Sequence, residues 1–75
     1  MNYNKYIEIN PEVMAGKPVI RGTRIPVGLI LNLFANGCTI DKVIKAYPVL
    51  TQKQIEAALA FAAEKLNREE NYTYA

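Results

Sequence analysis

"GKPVIRGTRIPV", residues 16–27, is the stretch on which the fold of this chain turns. It mixes Lys17, Arg21 and Arg24 with Val19, Ile20, Ile25 and Val27, and interrupts them with Gly16, Pro18, Gly22 and Pro26. A buried strand does not carry three cations, and a flexible linker does not carry four aliphatic side chains. The pattern fits a short extended piece over residues 17–20, a glycine turn at "RGT", and entry into a helix. Pro26 suits the first turn of that helix, where its missing N–H forfeits no hydrogen bond.

On the N-terminal side, "YNKYIEI" alternates loosely and predicts a short strand over residues 6–9. "NPEVMAGKP" follows; Pro11 and Gly16 break the chain, which reads as a turn with one helical loop. On the C-terminal side, Val27, Ile30, Leu31 and Phe34 recur at helical spacing, with Leu29 and Leu33 beside them. So broad an apolar surface predicts a first helix buried over much of its girth. Asn36-Gly37 closes it, because glycine readily takes the left-handed conformation of a helix end.

Thr39 is a fitting N-cap for a second helix, with Asp41 in its first turn. Ile40, Val43, Ile44 and Tyr47 share one face, and Pro48 disfavours helix at Tyr47. Thr51 and Gln54 have the spacing of a capping box at the start of a third helix. Ile55, Leu59, Ala62 and Leu66 line one face of it, and its alanines make it slim and of high propensity. The expectation is one mostly α domain over residues 1–66: three helices preceded by short extended segments, then a polar tail over residues 67–75. The short second helix, the "YPVL" connection and the long third helix have the proportions of a helix-turn-helix unit.

Composition removes several function classes. A chain of 75 residues with a single cysteine has a thin core and no disulfide framework, so a second copy is a natural source of further burial. Cys38 reads as a small side chain in a reducing compartment. There is no histidine and no serine, and no ligand spacing points to a metal or other cofactor. Glu56 and Glu64 stand two turns apart on an exposed helix face, which explains them better than catalysis. The run around Lys17 lacks the spacing of a phosphate-binding loop. No apolar run is long enough for a signal peptide or a spanning helix, so the expected location is cytoplasmic and away from the membrane.

The net charge of +2 is unevenly spread. Residues 1–53 carry seven cations against three carboxylates, a balance of +4; residues 54–75 carry two against four, a balance of −2. That division is compatible with nucleic acid at one surface and a protein at another. In a helix-turn-helix unit the leading turns of the second helix approach base edges. This gives Thr51, Gln52, Lys53 and Gln54 a possible role, since Gln can bond adenine and Lys can reach guanine acceptors. Lys42 and Lys45 on the preceding helix are placed for phosphates. Arg21 and Arg24 bracket Gly22-Thr23: the turn can aim both at one anion or at a carboxylate of the folded chain, or Gly22 supplies an unusual backbone angle while Arg24 pairs with a helix carboxylate. Tyr72 and Tyr74 in the tail are candidate anchors for a partner surface.

The run "GKPVIRGTRIPV", then Gly37, Tyr47, Pro48, Leu50, Thr51 and "IEAALAFAAE", resembles a small prokaryotic family, domain-of-unknown-function family 433. The likeness covers residues 9–64. It implies a homeodomain-like three-helix fold with an N-terminal extended segment. It also implies a role like that of VapB-type antitoxins, with a PIN-like nuclease toxin as partner, an operator DNA site and a homodimeric state. The alternative from the residues alone is an assembly module that forms homo-oligomers through its extended N-terminus and binds no nucleic acid.

Overall fold

The computed structural model describes residues 3–69. Two short strands, β1 (Ile7–Glu8) and β2 (Val19–Ile20), precede three helices, α1 (Val27–Ala35), α2 (Ile40–Ala46) and α3 (Gln52–Glu69). The mostly α expectation and the two N-terminal extended pieces are both found. The strands pair with each other, antiparallel, with Ile7 opposite Ile20 and Glu8 opposite Val19. Val19 also bridges Pro26, so β2 is held from both sides.

The quoted stretch folds as a tight reversal. The Thr23 N–H donates to the Ile20 carbonyl and the Ile20 N–H to the Ile25 carbonyl, at 2.9 and 3.0 Å. Gly22 occupies the third turn position at φ +83°, which a side chain with a Cβ adopts only at a cost. The Thr23 hydroxyl donates to the Ile20 carbonyl at 2.7 Å and accepts the Ile25 N–H at 3.0 Å, so one side chain locks both arms. With the reversal set, Val19, Ile20, Val27 and Ile30 fall inside and form the floor of the core. Pro26 caps α1 in an extended conformation and Val27 begins the helix, one residue later than the first-turn placement expected of the proline.

Local signals fix the helix ends. Asn36 caps α1 and Gly37 follows at φ +91°, where the chain turns off the helix. The Thr39 hydroxyl accepts the Lys42 N–H at the start of α2. Tyr47 leaves α2 at φ −130° and ψ 78°, consistent with the proline that follows. At α3, Gln54 N–H donates to the Thr51 hydroxyl and Thr51 N–H donates to the Gln54 side-chain oxygen, completing the capping box in both directions. Ile55, Ala57 and Ala58 of α3 are fully buried. Ala58 shares one core cluster with Val43, Leu50, Ile20 and Ile30, where its small side chain lets the helices approach closely.

The segment between the strands contains the expected helical loop, a single 3₁₀ turn over Met14–Gly16, but of unexpected hand. Met14, Ala15 and Gly16 form a left-handed turn, at φ 50°, 56° and 82°. A residue with a Cβ is disfavoured there by about 1–2 kcal/mol. The turn is held by the Gly16 N–H donating to Val13 and the Lys17 N–H to Met14, after Asn10 accepts the Glu12 N–H.

Candidate functional site

Two surfaces of the molecule stand out. The first is the α2–α3 unit. Residues 47–51 join the two helices, which pack on one another. Lys42 and Lys45 on α2, and Thr51, Gln52 and Lys53 at the head of α3, are all exposed. The first turn of α3 contains no acidic residue, so its backbone N–H groups and Lys53 present positive potential. The candidates are not equivalent. Thr51 and Gln54 hold each other in the capping box, and Gln54 is half-buried. Gln52 donates from its side-chain amide to Glu56 one turn on, at 3.0 Å. Lys53 is the side chain of this turn with no internal bond among the described residues.

The arginines of the turn part company. Arg21 donates from one guanidinium nitrogen to the carbonyls of Asn4 and Ile7, both at 3.0 Å, and its N–H bonds Tyr6 at 2.7 Å. Its guanidinium thereby ties the N-terminal segment to the turn. Arg24 is exposed and pairs with no carboxylate among the described residues. Arg21 turns onto the folded chain, but onto backbone carbonyls rather than a carboxylate; the expected pairing of Arg24 with a helix carboxylate is not found among the described residues, while Gly22 does take the unusual backbone angle. Tyr72 and Tyr74 lie outside the described residues.

The second surface was not singled out by sequence reasoning. Between the leading half of α1 and the trailing half of α3 lies a groove of about 570 Å³. Leu31, Phe61, Ala62 and Leu66 contribute apolar walls, and among the described residues Lys17 and Lys65 are the charged ones that line it. α1 starts here without a side-chain cap and without an acid in its first turn. Phe61 is fixed from behind by Tyr3, whose ring meets it edge-on at 5.4 Å and whose hydroxyl donates to Glu64 at 2.5 Å. The available signal was Leu66, which helical periodicity assigned to the core face. Periodicity places Leu66 on that face but does not show that the body of the protein ends before it.

Cys38 is a free thiol, half-buried against the core. Among the described residues no group of three or more His, Cys, Asp or Glu can hold a metal ion. No helix among them is long and apolar enough to cross a membrane.

Comparison with known proteins places the chain. Uncharacterized protein y4eO of Sinorhizobium fredii (strain NBRC 101917 / NGR234) is 34% identical over 53 residues, which is 71% of this chain and 24% of that protein. The chain therefore spans about a quarter of the length of that curated relative. The crystal structure of a DUF433 member from Anabaena variabilis ATCC 29413 is similar at a TM-score of 0.74 and 32% identity, covering 91% of this chain and 74% of that one. Residues 7–62, well over half of the chain, match the family described as "Protein of unknown function (DUF433)". The two strands, the glycine reversal and the start of α3 all fall within that match, and the chain belongs to the DUF433 family.

Proposed function

We propose that this protein is an antitoxin-like regulator. In this reading it binds a PIN-like nuclease toxin and, as a homodimer, its own operator DNA through the α2–α3 unit acting as a homeodomain-like helix-turn-helix. The observation that carries the DNA half is the exposed, capped head of α3, joined by five residues to α2, with Lys42, Lys45 and Lys53 all solvent-facing. Lys42 and Lys45 take phosphates, and Arg24 reinforces them from the neighbouring turn. Lys53 and Gln52 face base edges; Gln52 exchanges its exposed bond to Glu56 for a base contact. Thr51 and Gln54 act indirectly, by holding the first turn of α3 in shape. Arg21 acts on the fold alone. The toxin half rests on the family resemblance and on the aromatic pair Tyr72 and Tyr74 in an acidic segment.

The test is a gel shift with the DNA upstream of the gene beside unrelated duplex of equal length, at several salt concentrations. Preference for the upstream DNA, with affinity falling steeply as salt rises, is the expected outcome. Equal affinity for both duplexes removes the operator claim. Co-expression with the neighbouring gene product tests the toxin claim: rescue of growth supports it, and continued toxicity opposes it.

A second reading, an assembly module without nucleic-acid binding, is favoured by the α1–α3 groove, an apolar surface of the kind that receives another chain. β1 and β2 pair within one chain and are two residues long apiece, so strand addition at the N-terminus has only a short edge to use.

A further inference from the structure

We propose that Val49 is a specificity-determining residue of the α2–α3 unit, its side chain resting on the C5-methyl group of a thymine beside the bases that Gln52 and Lys53 meet. The inference rests on the operator reading above and names a feature of the DNA site which that reading leaves open. Val49 is 62% exposed, the largest exposure of a large apolar side chain among the described residues. It stands in the connection between α2 and α3, three residues before Gln52. Its place there is fixed. The Leu50 N–H donates to the Tyr47 carbonyl at 2.9 Å, so Pro48 and Val49 are the central residues of a tight turn. Pro48 restricts the backbone at the first of them. Both flanks are anchored: Tyr47 packs against the core, and Leu50 is 2% exposed within it.

Leu50 precedes the Thr51 cap, Ile55 is the fourth residue of α3, and the two share the core cluster, which is the arrangement of a hydrophobic staple. The staple and the capping box set how the chain enters α3, and Val49 is held in solvent at that entrance. A β-branched side chain has few rotamers, so little freedom is lost when it meets a partner. The chemistry then selects the target. Phosphates offer an apolar side chain nothing. In the major groove, thymine is the base that presents a methyl group, and apolar side chains meet it there. Gln52 and Lys53 distinguish adenine and guanine by hydrogen bonds; Val49 adds the thymine that those polar groups do not read. The contact releases no counterion, so it contributes sequence preference and no salt dependence.

Fluorescence anisotropy tests this with the DNA upstream of the gene and with the same duplex carrying deoxyuridine for thymidine, which pairs alike but lacks the methyl. Wild type is expected to bind the uracil duplex about fourfold more weakly, the effect of one methyl group left in water. Val49→Ala is expected to bind both duplexes alike, at the affinity of wild type for the uracil duplex. Its slope of log affinity against log salt and its melting temperature are expected to equal those of wild type. Any change of duplex shape on removing the methyls acts on both proteins, so a thymine-to-uracil ratio that is the same in Val49→Ala and wild type overturns the proposal. Equal binding of wild type to the two duplexes overturns it as well, and leaves the operator reading standing if wild type still prefers the upstream DNA to an unrelated duplex. Absence of that preference overturns both. Lost binding of Val49→Ala to the neighbouring gene product, with the ratio unchanged, assigns the side chain to a protein contact and overturns the proposal equally.

Discussion

The two ends of α3 contrast sharply. At its head, Ile55 is 0% exposed and a two-way capping box closes the first turn. Toward its tail, Leu66 is 50% exposed on the edge of an open groove. One continuous helix thus carries a sealed half that makes the fold and a second half that lines an open groove. Packing against α1, α2 and β1 anchors the helix, and past its midpoint Tyr3 holds it through its ring on Phe61 and its hydroxyl on Glu64 before helix propensity carries the last turns. Because the sealed half is anchored so firmly, its outward side can present Gln52 and Lys53 in a fixed geometry.

Substitutions break this contrast in graded steps. Ile55→Ala leaves a cavity at the centre of the sealed half and is expected to cost about 2–5 kcal/mol in denaturant unfolding. A loss no larger than that of a surface variant contradicts the packing described. Gly22→Val forces a β-branched residue to positive φ at the reversal. Open space surrounds the position, so the expected loss, about 1–2 kcal/mol, is conformational alone. A melting temperature equal to wild type contradicts the turn account. Thr51→Ala removes the hydroxyl half of the capping box and is expected to cost about 1 kcal/mol, with Thr51→Ser recovering most of it. Leu66→Ala, in the unsealed half, is expected to stay within about 0.5 kcal/mol of wild type. If it matches Ile55→Ala, the two halves are not different in kind.

What the sequence made legible was local. The Thr39 cap, the Gly37 exit, the arrest of α2 before Pro48 and the Thr51–Gln54 box each depend on residues within one turn of each other, and each stands in the structure as expected. The strand pieces were visible as alternation but proved only two residues long apiece, because pairing is set by the partner's length as well as by pattern. Three features were hidden. The left-handed turn at Met14 and Ala15 uses residues that disfavour it, so composition carries no sign of it. Arg21 bonds carbonyls of Asn4 and Ile7, more than ten residues away, which spacing does not reveal. The groove escaped because Leu66 has the right period for the core but lies beyond the elements that would cover it. The candidate nucleic-acid surface was legible as exposed polar residues on a helix start, whereas the division of labour within it needed the hydrogen bonds.

The salt dependence of binding to the upstream DNA, measured for wild type and Lys53→Ala, tests most directly whether the head of α3 faces a duplex. The account expects weaker binding for the variant and a slope of log affinity against log salt about one unit shallower if Lys53 reaches a phosphate, or an unchanged slope with lost sequence preference if it reaches a base. A variant that keeps wild-type affinity, slope and preference contradicts it.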